Sequence, residues 1–436
     1  MRVLVVAGGE PWPLDGGGRL HLYHVLTRLA LRADVTLLLP RRTEYREHLP
    51  ENMRVVSVER NDGARGTNVA VSPMLRRSRR CFSYSAAIEA WLRRNAVPEH
   101  FDVVMLNGPA RGAYVEACRA PVVWNQQDEL VLPTMRDAQF SDWKTWGSAL
   151  KGMALFAAFE RAVAKKADAT IYVSKLDAAY ARRWCGDTRI EVVQNGVDFD
   201  YFRPAAAAPI PRTVAFVGSL EFLPNIDAMR YFTHKIWPGV YAADSRRRFE
   251  IVGRRPVASV RELASAPGVK IIPDVPDVRP YLARASVVVV PVRKGGGLKN
   301  KVLEACAARR PVAAHPRAMV GLSARLGIDV VCASTPRQWS ERLGRLLDSP
   351  EHAARIARNG YEWVSRAHDW GRTGDRFYEI LASVARFKGA DAASRATGDI
   401  PARGSCSAER LSPAEIGKDK TSAAGEALLK VYETVG

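Results

Sequence analysis

Along the chain, short β-branched apolar runs alternate with longer segments in which apolar residues recur every three or four positions. In the first half the runs are "RVLVVA" (2–7), "DVTLLL" (34–39), "MRVVSV" (53–58), "FDVVMLN" (101–107), "PVVWNQ" (121–126), "ATIYVS" (169–174) and "IEVVQN" (190–195). Most are apolar throughout rather than alternating, the pattern of parallel strands covered on both faces. Segments of helical period, such as 19–31, 83–95 and 150–166, fill the gaps. This order predicts a doubly wound α/β domain.

The pattern breaks at "RPAAAAPIPR" (203–212), which has three prolines and four consecutive alanines and reads as a linker. It then restarts with "TVAFVG" (213–218), "FEIVG" (249–253), "VKIIP" (269–273), "SVVVVP" (286–291), "PVAAH" (311–315) and "IDVVCA" (328–333). Helices are expected over 335–347, 350–366 and 371–388. The division is a first α/β domain over 1–202, a linker over 203–212, a second α/β domain over 213–370 and a helix over 371–388. Residues 389–436 are rich in small and polar residues and read as a mostly disordered tail, with a short helix near 423–434. Two such domains imply a cleft between them, the usual place for a ligand.

The net charge is +19, and it is spread over both domains rather than gathered in a basic tail. A diffuse excess suits an anionic partner, whether a phosphorylated substrate, a membrane surface or nucleic acid, and it is also what an arginine-rich composition gives. No nucleic-acid module is recognisable, so no nucleic-acid partner is assigned. The six cysteines, at 81, 118, 185, 306, 332 and 406, lack zinc or redox spacing and read as reduced. The opening "MRVLVVAGG" is a strand rather than a secretory leader, and no apolar run approaches the ~20 residues that cross a bilayer. The expectation is a cytoplasmic protein, soluble or peripheral on the inner face of the membrane.

Two stretches carry candidate chemistry. In "GGEPWPLDGGGRLHLYHVL" (8–26), Gly16, Gly17 and Gly18 lie between the first strand and a helix. Strand ends and helix starts of parallel sheets favour anions, and glycine permits close approach. The spacing is neither a Rossmann G-x-G-x-x-G nor a Walker A, and a tight turn without a ligand fits these residues equally well. His21 and His24, at i and i+3, lack a third metal ligand and read as packed or solvated.

The other stretch is "PVRKGGGLKNKVLEACA" (291–307), a strand exit, a glycine loop (Gly295, Gly296, Gly297) and a helix over 299–308. Lys301 and Glu304 share a helical face, where a salt bridge alone would contribute tenths of a kcal/mol. It would leave Arg293, Lys294, Lys299 and the glycines unexplained. A nucleoside diphosphate accounts for more: cations and the helix start on phosphate, Glu304 accepting from the paired hydroxyls of a ribose.

"VVQNGVDFDYFRP", "VGSLEFLPNIDAMRYF" and "VRPYLARASVVVVPVRKGGGLKNKVLEACAARRPVAA" together resemble glycosyltransferase family 4, retaining enzymes of the GT-B fold, and among them bacterial sugar transferases of exopolysaccharide systems. The likeness covers roughly residues 1–388, most closely 190–320. It implies two doubly wound Rossmann-like domains facing across a cleft, the 371–388 helix crossing back to the first. It places Gly16–Gly18 at the donor diphosphate, Lys299 and Lys301 on its phosphates, Glu304 on the ribose and Val275 by the base. Gly218, Gly295, Gly296, Gly297 and Leu298 complete the donor set. It implies transfer of a sugar from a nucleoside-diphosphate donor to an acceptor hydroxyl, with retention and without a metal or other cofactor. Lys299, Lys301 and Arg293 would stabilise the departing diphosphate.

The sequence departs from the family in places. The usual paired glutamates are eight positions apart, and Gly296 stands where the first would be. A basic residue common after "VG" is replaced in "GSLEF" (218–222). The acceptor-side histidine is missing, and "WNQQDEL" offers Gln127 and Asp128 instead. Asp128 would orient an acceptor hydroxyl or cap the next helix. The acceptor expected is a carbohydrate, a lipid-linked species or a small molecule. "MLRRSRRCFSYSAAIEAWLRRN" (74–95) and "KTWGSALKGMALFAAFERAVAKK" (144–166) would lie on an anionic membrane or pack inward as ordinary helices. A nucleotide-sugar 2-epimerase of the same fold and a non-catalytic scaffold are the competing functions.

Overall fold

In the computed structural model, residues 1–14, 16–59, 84–127, 143–203, 209–295 and 297–397 are described, without the side chains of 143–149 and 387–397. The first sheet contains β1 (Arg2–Val6), β2 (Asp34–Leu39), β3 (Arg54–Ser57), β4 (Val103–Asn107), β5 (Val122–Gln127), β6 (Ala169–Tyr172) and β7 (Ile190–Val192). The second contains β8 (Thr213–Val217), β9 (Arg248–Gly253), β10 (Val269–Pro273), β11 (Val287–Val290), β12 (Val312–Ala314) and β13 (Val331–Cys332). Each of the thirteen falls within or beside a run read from the sequence, because strands covered on both faces must be apolar along their length. The central β4, β8 and β11 are buried at every position.

Both sheets are parallel and wound alike, in the orders β3-β2-β1-β4-β5-β6-β7 and β10-β9-β8-β11-β12-β13. This confirms the doubly wound fold. Strand order reverses between β1 and β4 and again between β8 and β11. Open parallel sheets bind ligands at such points, outside the strands' carboxyl ends.

The last helix, Trp370–Thr397, follows the second domain but packs on the first. Phe377, Ile380, Leu381 and Val384, spaced as one helical stripe, join the core under β1 and β2. The helix expected over 371–388 thus runs nine residues further, through "GADAASRAT", whose four alanines favour continuation. The rest of the tail read as mostly disordered, 398–436, lies outside the described residues. Of the segment at 74–95, the described part forms the helix Ala86–Asn95, which buries Ile88 and Leu92 inward. The helix Trp143–Ala164 likewise buries Phe159 and Val163. Among the described residues no helix is long and apolar enough to cross a membrane.

The two domains meet where the chain crosses between them. Val197 N–H donates to His368 O (2.9 Å), and Thr373 Oγ1 donates to Gln194 O (3.0 Å). Gly196 fits here because it lacks a side chain: a Cβ would lie 2.5 Å from the Trp370 nitrogen. Gly196→Ala is expected to cost about 1–3 kcal/mol of stability in urea unfolding. Gly9→Ala, where a Cβ meets nothing within 4 Å, is expected to be near neutral.

Candidate functional site

The loop after β1 and the loops after β8 and β11 face one another across a cleft of about 2230 Å³. The predicted site residues line it from both sides: Gly16, Gly17 and Gly18 from the first domain, the rest from the second. Asp128 and Gly296 lie outside the described residues.

Gly16 is the extended residue before the helix Gly17–Leu29, so two of the three glycines open the helix rather than precede it. All three line the cleft, at a helix start whose first-turn N–H groups have no intrahelical partner. Gly17 approaches the second domain closely, a Cβ there lying 3.6 Å from Asn300 Nδ2.

In the second domain, the helix Asn300–Ala307 buries Val302, Leu303, Ala305 and Cys306, leaving Lys301 and Glu304 toward the cleft. Lys301 Nζ donates to Asn225 Oδ1 (2.7 Å) and sits 4.5 Å from the centre of the Phe216 ring. A Cβ on Gly218 would come within 2.9 Å of that ammonium, so glycine clears its place. Glu304 makes no hydrogen bond or ion pair among the described residues, and no bridge to Lys301 forms. Burial pushes its carboxyl up to about 7, against the pull of Lys301. Burial pushes Lys301 down to about 7, with Glu304 opposing and Lys299 adding to the fall. Val275 enters the cleft from a turn in which Asp274, at φ 50, accepts from the Arg255 N–H (2.7 Å).

The other cations are engaged locally. Lys299 Nζ donates to Gly295 O (3.2 Å) and Gly297 O (3.1 Å), closing the glycine loop on itself. Gly295 and Gly297 have φ of 81° and 73°, a region that favours glycine. Arg293 donates to Asp227 Oδ2 (2.9 Å) and stacks 3.7 Å over the Tyr231 ring, while Lys294 lies 3.1 Å from Asp227 Oδ1. Arg293, expected on phosphate, is therefore held by an acid 66 positions away, and Lys299 by carbonyls that the left-handed glycines turn toward it.

Polar residues that the sequence reading passed over join the two sides. His21, packed rather than metal-bound, lines the cleft and exchanges hydrogen bonds through both ring nitrogens, Nδ1 with Asn195 Oδ1 (2.8 Å) and Nε2 with Asn125 Nδ2 (2.9 Å). Asn125 also donates to Asn107 Oδ1 (2.7 Å), and Asn195 donates to Asn300 Oδ1 (3.2 Å). Burial lowers His21 to about 4, so the ring is neutral and carries its proton on Nδ1. His24 stacks 4.6 Å from Trp370 and burial lowers it likewise to about 4. Asn107 ends β4 and Asn195 follows β7, whereas Asn125 lies within β5 and Asn300 opens the donor-side helix. Gln127, at the end of β5, takes a left-handed φ of 72° beside a break in register with β6. Among the described residues, no three His, Cys, Asp or Glu side chains cluster as a metal site requires.

Two Rossmann-like domains facing across a glycine-lined cleft define the GT-B architecture of glycosyltransferases. Residues 15–201 match the family described as Glycosyltransferase Family 4, and residues 211–349 match Glycosyl transferases group 1. The chain belongs to the family 4 type of glycosyltransferase. No curated protein matches its sequence. Among solved structures it is similar to sucrose-phosphate synthase from Thermosynechococcus elongatus, at 15% identity, covering 88% of this chain and 99% of that one with a TM-score of 0.63. It is similar to Anabaena HepE, solved with UDP and glucose, at 13% identity, 88% and 100% coverage and a TM-score of 0.63. TarM gives 9% identity, 87% and 98% coverage and a TM-score of 0.66.

Lys301 and Glu304 make stability depend on pH in opposite directions. Glu304 rises from 4.5 to about 7 on folding, so its contribution is present below pH 4.5 and is lost as pH rises through 7. Lys301 falls from 10.5 to about 7, so its contribution is present above pH 10.5 and is lost as pH falls through 7. Relative to wild type, Glu304→Gln should gain stability as pH rises from 4.5 to 7, and Lys301→Met should lose it from 7 to 10.5. Urea midpoints across pH check both signs.

Proposed function

We propose that the chain transfers a sugar from a nucleoside-diphosphate donor, of the UDP type, to an acceptor hydroxyl with retention at the anomeric carbon, in polysaccharide or glycoconjugate synthesis. One observation carries the reading: Glu304, a carboxylate without a partner among the described residues, lies one helical turn from Lys301 behind the glycine loop at the second sheet's switch point. A ribose diol supplies the two donors that such a carboxylate lacks. A diphosphate beside Lys301 supplies the negative charge that restores a recessed lysine to its charged form. HepE, whose structure holds UDP and glucose, supports a uridine donor.

In the reaction the bond from the anomeric carbon to the phosphate oxygen breaks, and the acceptor oxygen bonds to the same carbon on the same face. The acceptor proton passes to the departing phosphate. Lys301 and the N–H groups of Gly17 and Gly18 stabilise the diphosphate as its charge grows. Lys299 and Arg293 act one step back, fixing the loop that presents backbone N–H groups to the donor sugar. No metal is assigned, and the acceptor is a carbohydrate or lipid-linked hydroxyl on the cytoplasmic side.

UDP is expected to raise the melting temperature of the wild type. Glu304→Ala should weaken UDP roughly tenfold or more, as loss of charge-assisted hydrogen bonds implies. Unchanged UDP affinity in that variant would remove Glu304 from the ribose. Incubating enzyme with UDP-N-acetylglucosamine alone tests the reaction class: appearance of the 2-epimer would replace transfer with epimerisation.

A further inference from the structure

We propose that the acceptor is an anionic glycan, held along the exposed face of the helical segment Leu223–Ile236 in the second domain. The proposal rests on the transferase reading above. Pro224, at the start of this segment, packs against the glycine loop, a Cβ on Gly295 lying 3.0 Å from its Cγ. From there the segment runs roughly 16 Å to Lys235 at the helical rise per residue. Arg230, His234 and Lys235 are exposed and line the same cleft as the donor residues.

Two consecutive residues face the cleft because the turn Phe232–Ile236 is π-helical, with the Trp237 N–H bonded to Phe232 O. The wider turn buries Phe232, Thr233 and Ile236 and brings both His234 and Lys235 to the cleft. Such turns recur at functional sites.

The nearby acids are already committed. Asp227 holds Arg293 and Lys294, and Glu221 pairs with Arg255 at 3.1 Å. Among the described residues, Arg230, His234 and Lys235 have no hydrogen bond, ion pair or ring contact. Arg230 and Lys235 form a cationic track, with the His234 ring beside it, leading away from the place where a sugar would be transferred. The cleft, at about 2230 Å³, is about twice the upper range of a small-molecule pocket, which leaves room for a chain beside the donor. Carboxylates spaced along a glycan complement this track, whereas a neutral glycan leaves it unanswered.

Isothermal titration at low salt, with and without UDP, tests the idea using tetragalacturonate and neutral maltotetraose as probes. Tetragalacturonate should bind the wild type, and R230E/K235E should weaken it about tenfold, as loss of charge complementarity implies. UDP affinity should stay unchanged in that variant. R41E/R42E, an equal charge change at exposed arginines outside the cleft, should bind tetragalacturonate as wild type does. Equal binding of maltotetraose, equal loss in R41E/R42E, or no loss in R230E/K235E overturns the proposal. Capture of phosphatidylglycerol vesicles through Arg230 and Lys235, with no tetragalacturonate binding, overturns it in favour of a membrane surface. Failure of UDP to bind would count against the donor reading alone, since the tetragalacturonate arm is read without UDP as well.

Discussion

Asn195 is bonded in three directions at once, and the cleft depends on it. Its side-chain oxygen accepts a hydrogen bond from His21 Nδ1, its side-chain amide donates one to Asn300 Oδ1, and its backbone carbonyl accepts from His368 Nδ1 at 2.8 Å. These partners belong to the first domain's opening helix, the donor-side helix and the returning end of the second domain. Buried amides satisfy such demands well, because each can donate and accept simultaneously. An apolar residue here would strand a buried imidazole nitrogen and a helix-start amide together, and an unpaired buried polar group costs about 1–3 kcal/mol.

The second organising feature is how the cations are distributed. The stretch at 291–307 carries four of them, and three serve the protein itself. Arg293 and Lys294 fasten the strand exit to Asp227, and Lys299 draws together the carbonyls of a glycine loop that has few side chains to hold it. That leaves Lys301, anchored by Asn225, as the cation set against the donor side. Its depressed affinity for a proton and the raised one of Glu304 have a common cause, burial without a mutual bridge. A ligand bearing both a diol and a diphosphate relieves both at once.

Much of this was legible in the sequence, for definite reasons. Continuous apolar runs declare strands covered on both faces, so β1 through β13 stood out, and two repeats of the alternation implied two sheets. Glycine triplets beside strand exits pointed to the cleft, and the spacing of Lys301 and Glu304 to a shared helical face. The pairing of charges was not legible. Nothing local tells Arg293 that Asp227 lies across a loop, or that a lysine two residues from a glycine will serve its carbonyl. The amide chain through Asn107, Asn125, Asn195 and Asn300 was equally hidden, since isolated asparagines make no periodic pattern. The last helix outran its expected end because alanine propensity prevailed over the polar composition of the tail.

The two crossings between the domains have a mechanical meaning. Val197, on the outgoing chain, is bridged to Asp369 on the returning chain, and the hydrogen bond from Val197 to His368 O ties them further. A single connecting strand can swivel about its own bonds. Two strands laced side by side behave as a flat strap, compliant to bending across its face and stiff to twist. Bending of the domains about this strap is therefore easier than twisting, and a closed arrangement sets Gly17 opposite Asn300.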